Sequence, residues 1–172
     1  MIFILILFNA FPTILSMFAT SDILKTLGLL NKYLGLALVY SGQMTITGVL
    51  IMKGYFDGIP LDIEETAKVD GASRRQLLVK IIFPLARPGV IVTAVMILIY
   101  VWNEYVYSVL FMNNADRYTL AAGLYSLQAT EYTRNWPLFS AASILVSMPV
   151  LVLFYTIQKR MASGLISGGV KG

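Results

Sequence analysis

Long stretches without a charged side chain constrain this chain more than any other feature of its sequence. A helix that crosses a bilayer core about 30 Å thick needs roughly 20 mainly apolar residues. Four segments reach about that length, at residues 2–19, 33–52, about 85–112 and 138–157. None has the alternation of a β-strand, and open strand edges are not stable in lipid. We therefore predict an all-α polytopic membrane protein with about four transmembrane helices.

Composition and the placement of charges support this prediction. Apolar residues make up 58% of the chain and charged residues 13%, whereas about 25% of a typical soluble domain is charged. Nine of the 13 basic residues lie within residues 53–87 or in the tail after residue 158. By the positive-inside rule, this distribution places the 53–84 loop and both termini in the cytoplasm. The net charge of +4 is too modest to favour nucleic-acid binding.

The sequence contains no cysteine and no histidine. Their absence excludes a disulfide framework, a Cys/His zinc site and a Ser-His or Cys-His nucleophile pair. We predict no catalytic site and no metal site. The first residues form an apolar run without a basic n-region or a small-residue cleavage site, which favours a transmembrane helix over a cleaved signal peptide.

The most charged part of the chain, residues 53–84, has the pattern of two short helices around a sharp turn. Pro60 stands where a helix can begin, and Asp62 with Glu65 three residues later has the pattern of a capping box. These signals predict an amphipathic helix over residues 63–69. Gly71 can adopt a positive φ without steric strain, so we expect it to end this helix.

A second helix is predicted to follow the turn at once. Ser73 and Gln76 form another capping-box pattern, which opens a helix over residues 74–82. Pro84 and Pro88 then mark the entry into the third apolar segment. These local signals leave two interpretations open: an interfacial helical hairpin that only joins two spans, or an element on which another protein docks.

The sequence of this loop closely resembles the EAA loop of ABC importer permeases. That motif reads Glu-Ala-Ala, three residues, Gly, nine residues and then Ile-x-Leu-Pro. Here Glu65-Thr66-Ala67 is followed at the expected distances by Gly71 and by Ile81-Ile82-Phe83-Pro84. Thr66 in place of Ala and Phe83 in place of Leu are mild departures, which preserve the helix–Gly–helix pattern.

The resemblance continues along almost the whole chain in the same order. It favours the carbohydrate branch of the family at Lys53-Gly54-Tyr55-Phe56, at Trp102-Asn103-Glu104-Tyr105 and in the tail Gly168-Gly169-Val170-Lys171-Gly172. Such permeases have the type I fold of ABC importers with six transmembrane helices. The chain aligns with the last four, so we expect the first two to be absent. The resemblance implies one permease domain, residues 1–172, with a cytoplasmic coupling loop at residues 53–84.

The family's function is implied in the same way. The chain would be a membrane-spanning subunit of an ATP-driven importer in the bacterial inner membrane, forming part of the translocation pathway for a sugar or oligosaccharide. It lacks the Gly-x-x-x-x-Gly-Lys-Ser/Thr motif of an ATPase. It would therefore bind no cofactor, and a dimer of partner ATPase subunits would use the ATP. The other implied partners are a second permease subunit, an extracytoplasmic solute-binding protein and the lipid bilayer, with no nucleic acid among them.

The resemblance assigns the contact with the ATPase to the coupling loop. The helix over residues 63–69 would lie in a cleft of the ATPase, with small Ala67 permitting close approach and Glu65 facing polar or basic groups. Gly71 would set the angle between the two short helices. The implied coupling residues are Glu64, Glu65, Thr66, Ala67, Asp70, Gly71, Ala72 and Pro84.

Candidate pathway residues come from the apolar segments. Glu104 is an ionisable residue within a predicted span, which indicates a functional role unless its side chain reaches water at the outer interface. Sugars are bound by hydrogen bonds and aromatic stacking, so nearby polar and aromatic residues are candidates, although each also suits helix packing or an interface belt. The candidates are Gln43, Thr47, Trp102, Asn103, Glu104 and Tyr105.

Two other classes of membrane protein fit the sequence less well. An ion-driven secondary transporter or channel predicts inverted repeats and paired charges near the midplane of the membrane. The predicted spans contain one carboxylate and no recognisable repeat. An intramembrane enzyme would need His, Cys or paired aspartates, which the spans lack. Only the ABC permease requires the pattern at residues 64–84.

Overall fold

The computed structural model describes residues 12–128 and 135–169 together with Phe3 and Leu7, and it describes side chains as far as Gln158. These residues form helices joined by short turns, and the described part contains no β-strand, which confirms the all-α prediction. The helices are α1 (Thr13–Thr26), α2 (Tyr33–Asp57), α3 (Leu61–Val69), α4 (Arg74–Leu85), α5 (Arg87–Asn103), α6 (Val106–Phe111), α7 (Leu120–Ser126) and α8 (Trp136–Gly169).

Two of these helices are long and apolar enough to cross a membrane, namely α2 and the part Trp136–Gln158 of α8. They confirm the predicted spans 33–52 and 138–157. Helices α4 and α5 meet at a bend of 62° and provide a third span if the two cross as one. The predicted span 2–19 and the last residues of the tail lie largely outside the described part, so both stay predictions.

The third predicted span is interrupted, so the prediction of one segment over residues 85–112 is wrong. Helix α5 ends at Asn103, Glu104 and Tyr105 are not helical, and α6 begins at Val106. In a continuous helix the N–H of Tyr107 would donate to the Asn103 carbonyl. It donates instead to the Glu104 carboxylate, at 3.0 Å. This local bond replaces the helical one and makes the break possible.

The described chain forms two compact units. The first comprises Met1–Ile46 and Leu98–Leu153, and the second comprises Thr47–Ile97 and Phe154–Gly172. In the first unit, apolar side chains from α1, α2 and the segment around α6 bury one another. The members of this core are Leu24, Leu36, Tyr40, Tyr107, Phe111 and Met112.

Hydrogen bonds within the same unit join the turn between α1 and α2 to the residues that follow α6. Asn31 has a φ of 58°, a left-handed conformation that Asn tolerates better than most residues. Its side-chain oxygen accepts from the N–H of Asn113 at 3.1 Å, and its carbonyl accepts from the Arg117 guanidinium at 2.6 Å. These bonds satisfy backbone groups that lie outside the helices.

In the second unit, α5 approaches α2 where two glycines leave room. A Cβ atom at Gly89 would lie 2.5 Å from the ring of Tyr55, so the aromatic side chain packs directly on the α5 backbone. A Cβ at Gly48 would lie 3.5 Å from the Thr93 methyl group, which is ordinary contact. Close approach at Gly89 therefore positions the start of α5.

Gly35 and Gly42 of α2 offer a matched test of packing in the first unit. A Cβ at Gly35 would lie 2.3 Å from the carbonyl oxygen of Leu29, whereas a Cβ at Gly42 would have no atom within 4 Å. We expect Gly35→Ala to destabilise the protein by about 1–3 kcal/mol, because a backbone atom must move. Gly42→Ala should be neutral or stabilising by up to about 1 kcal/mol. Unfolding of the purified protein in detergent measures both, and equal effects would contradict this packing.

Candidate functional site

Helices α3 and α4 and the turn between them form a helical hairpin, residues 61–85. Its first helix begins at Leu61, two residues earlier than predicted, because Pro60 occupies the N-cap position with φ −60° and ψ 134°. Pro has a fixed φ that suits a helix start and no N–H to satisfy. The predicted capping box at Asp62 is therefore wrong. Asp62 and Glu64 lie in the first turn, where the helix dipole favours negative charge.

The turn of the hairpin is a Schellman motif centred on Gly71. Its φ of +78° is positive, as predicted. The Gly71 N–H donates to the Lys68 carbonyl at 3.1 Å, and the Ala72 N–H donates to the Ala67 carbonyl at 3.0 Å. These bonds satisfy two of the carbonyls that a helix end leaves open. A Cβ at Gly71 would meet no atom within 4 Å, so the backbone conformation alone requires glycine.

The second helix of the hairpin begins with the predicted capping box. The Ser73 N–H donates to the Gln76 side-chain oxygen at 2.9 Å, and the Gln76 N–H donates to the Ser73 hydroxyl at 3.3 Å. Because Ser73 lies two residues after Gly71, the turn and the cap are nearly continuous. The backbone of the hairpin is thus hydrogen-bonded through its sharpest bend.

A wide turn and a bend follow the cap, and neither was predicted. Residues Leu77–Ile82 form a π-helix, in which the Phe83 N–H donates to the Leu78 carbonyl. Pro84 has no N–H for the Lys80 carbonyl, and its ring crowds that carbonyl, so the preceding turn widens. The chain then bends by 62° at Ala86 and continues as α5. Paired prolines at 84 and 88 explain this break, since each removes a helical bond.

Ala67 is 6% exposed and packs on Leu77 and Ile82 of α4. Its small side chain permits close approach between the two helices of the hairpin. The predicted close approach of Ala67 to a partner stays a prediction. Ala72, half-buried, extends the same contact.

The other predicted coupling residues lie on or near the outer surface of the hairpin. Glu65, Thr66 and Asp70 are exposed, while Glu64 pairs with Lys68 at 3.6 Å and is partly covered. Pro84 is half-buried at the far end of α4. An open groove of about 410 Å³ runs along one side of α3. Its lining residues are Asp62, Ile63, Thr66, Ala67, Asp70, Ala72 and Ile81.

A polar cluster, separate from the hairpin, lies at the break between α5 and α6, within the first unit. The Tyr40 hydroxyl donates to the Glu104 carboxylate at 2.8 Å, and the Tyr107 N–H donates to it at 3.0 Å. The Gln43 amide donates to the Tyr107 hydroxyl at 2.9 Å. The cluster joins two predicted pathway residues, Gln43 and Glu104, through Tyr40 and Tyr107, which were not predicted as pathway residues. Tyr40 and Gln43 are three residues apart in α2, and this spacing could have indicated that they share one face of the helix.

The remaining pathway candidates have separate surroundings. The Trp102 indole donates to the Val146 carbonyl at 3.2 Å, and the Asn103 amide donates to the Ile99 carbonyl of its own helix at 2.7 Å. Tyr105 is exposed and stacks on Tyr125, with ring centroids 4.8 Å apart. Thr47 is half-buried. A pathway role for these residues stays a prediction.

Residues 1–167 match the protein family described as "Binding-protein-dependent transport system inner membrane component". The chain belongs to this family. It is 34% identical to the galactooligosaccharides transport system permease protein GanQ of Bacillus subtilis, over 97% of the chain and 59% of the relative. It is 33% identical to the maltodextrin transport system permease protein MdxG of the same organism, over 100% of the chain and 62% of the relative.

A further relative is the inner membrane ABC transporter permease protein YcjP of Escherichia coli, 35% identical over 94% of the chain and 58% of the relative. The chain thus spans about three fifths of the length of these relatives. The family membership confirms the resemblance that the loop motif indicated, and it fits the all-α membrane fold.

The bond between Tyr40 and Glu104 can be measured by a double-mutant cycle. We expect a coupling free energy of about 0.6–1.7 kcal/mol between Tyr40→Phe and Glu104→Leu, which is the average-to-maximum range for hydrogen bonds between membrane helices. Tyr33→Phe is the matched control, because Tyr33 is exposed on the same helix. Unfolding in detergent gives each free energy. Additive losses for Tyr40→Phe and Glu104→Leu would show that the bond contributes nothing to stability.

Proposed function

We propose that the chain is a membrane-spanning subunit of an ATP-driven importer and forms part of its pathway for a sugar or oligosaccharide. The names of two curated relatives include galactooligosaccharides and maltodextrin, and each relative aligns with nearly the whole chain. The observation that carries the proposal is the helical hairpin. It combines the EAA-like sequence with a closed, hydrogen-bonded geometry that a mere linker does not need.

In this proposal the hairpin is the part of the chain that contacts the ATPase. Glu65 and Thr66 of α3 and Asp70 at its C-cap supply the exposed side chains that enter a cleft of the partner. The chain lacks the phosphate-binding motif of an ATPase. ATP is then used by a dimer of partner subunits, and this chain binds no cofactor. A second permease subunit and an extracytoplasmic solute-binding protein complete the importer.

The geometry of the hairpin suits a lever. Ala67 packs on Leu77 and Ile82, so a push on α3 is passed to α4 by direct contact. The Schellman bonds at Gly71 prevent the angle between the helices from opening without the loss of hydrogen bonds. Ala86, which is almost fully buried, joins α4 to α5. Movement of the ATPase would reach the spanning helix α5 by this route.

The charge distribution supports the orientation that this function needs. Nine of the 13 basic residues lie in residues 53–87 or after residue 158, which favours a cytoplasmic hairpin and a cytoplasmic C-terminus in the bacterial inner membrane. The substrate would then cross between helices toward the same side. Gln43, Thr47, Trp102, Asn103, Glu104 and Tyr105 remain the proposed pathway residues.

Gly71 provides the test of coupling, because a side chain there meets no neighbour and acts through the backbone alone. Gly71→Val forces a β-branched residue to a φ near +78°, which costs about 1–3 kcal/mol. We expect this variant to insert in the membrane and to hydrolyse ATP with the partner subunits, but to lose most binding-protein-dependent sugar uptake in proteoliposomes.

The matched control is Gly71→Asn, because Asn adopts positive φ more readily than other residues with a side chain. It should retain much more uptake per ATP hydrolysed than the valine variant. Wild-type uptake in Gly71→Val would contradict the assignment of the hairpin as the coupling element. Equal loss in both variants would show that the left-handed backbone is not the cause.

A further inference from the structure

The two helices of the hairpin carry opposite charge. Residues 61–70, which comprise α3 and its C-cap, contain four carboxylates and one lysine. Residues 71–103 contain four basic side chains and no acidic one. All four basic residues are exposed. They are Arg74, Arg75, Lys80 and Arg87.

Helix α4 also exposes apolar side chains beside these charges. Leu77 and Ile82 are buried against α3, whereas Leu78, Val79 and Phe83 are each more than half exposed. Exposed side chains of this size, close together in one short helix, mark a surface that another phase or molecule covers. The outer face of α4 is therefore both cationic and apolar. We define it as Arg74, Arg75, Leu78, Val79, Lys80 and Phe83.

Helix α4, which carries this outer face, leads directly into the apolar helix α5. Ala86 is the only residue between α4 and α5, and α5 carries no charged residue after Arg87 as far as its end at Asn103. The 62° bend at Ala86 redirects the chain where α5 begins. With α5 as the spanning part of this pair, α4 is placed at the level of the lipid headgroups, where phosphates and the upper acyl chains are both within reach.

We infer that the outer face of α4 binds the anionic lipid surface of the membrane. Leu78, Val79 and Phe83 enter the boundary between headgroups and acyl chains, and Arg74, Arg75 and Lys80 lie against the lipid phosphates. The same negative surface repels the carboxylates of α3. The charge asymmetry thus turns the hairpin so that α3 faces away from the lipid and is open to a soluble partner.

The absence of cysteine allows a direct test with single labels. A bimane fluorophore is attached to Val79→Cys on α4 or, for comparison, to Val69→Cys on α3, where the native side chains are 60% and 87% exposed. The full chain is reconstituted in bilayers of phosphatidylcholine and phosphatidylglycerol. A quenching nitroxide is carried on the acyl chain of one lipid or of the other.

We expect strong quenching at Val79, weak quenching at Val69, and a preference at Val79 for the nitroxide carried on phosphatidylglycerol. Arg74→Gln with Arg75→Gln should reduce that preference by about fivefold for each charge removed. High salt should reduce it as well. The matched control is Lys25→Gln with Lys32→Gln, which removes two exposed charges elsewhere in the chain and should leave the preference unchanged.

Three results would overturn the inference. The first is the absence of quenching at Val79, which would mean that protein rather than lipid covers α4. The second is equal quenching by the two labelled lipids, which would mean insertion without recognition of anionic headgroups. The third is an equal loss of the phosphatidylglycerol preference in both double variants, which would mean that the preference depends only on the net charge of the chain. The assay contains no ATPase, so its failure would leave the proposed coupling role intact.

Discussion

A helix that stops leaves backbone N–H and C=O groups without partners, and three interruptions in the described part of the chain supply partners for these groups. At the break between α5 and α6 the Glu104 carboxylate takes the N–H of Tyr107. At Gly71 the Schellman bonds close the end of α3, and at Ser73 a capping box opens α4. Helix ends that are satisfied in this way have defined geometry, which a lever or a pathway requires.

Charge adds a second level of organisation to the same hairpin. The carboxylates lie on α3 and its C-cap and the basic residues on α4, and the two helices pack through Ala67, Leu77 and Ile82. A cationic, apolar outer face suits lipid, and an acidic, exposed helix suits a soluble partner. Lipid binding by α4 would therefore hold the hairpin in the orientation in which α3 meets the ATPase. The two proposals concern separate surfaces of one element and can fail independently.

The sequence predicted features that depend on local chemistry. Apolar length identified α2 and α8, the need for positive φ identified Gly71, and the Ser73–Gln76 spacing identified a capping box that the structure contains. It did not predict the break at Glu104, nor the bond from Tyr40 to Glu104, which joins residues 64 positions apart. Nor did it predict the π-helix before Pro84, because a π-helix has no characteristic amino-acid composition. The burial of Ala67 was also missed, because it depends on how two helices pack.

The central claim is that the exposed side of α3 contacts the ATPase. Because Ala67 is buried, a single cysteine at exposed Thr66 is the better probe, paired with one in the helix-binding cleft of the ATPase. Cross-linking in membranes that contain the assembled importer tests the contact directly. We predict a cross-link whose yield changes when ATP is added, and none from a cysteine at Arg75 on α4. Equal yields from the two positions, or no cross-link with both proteins assembled, would contradict the account.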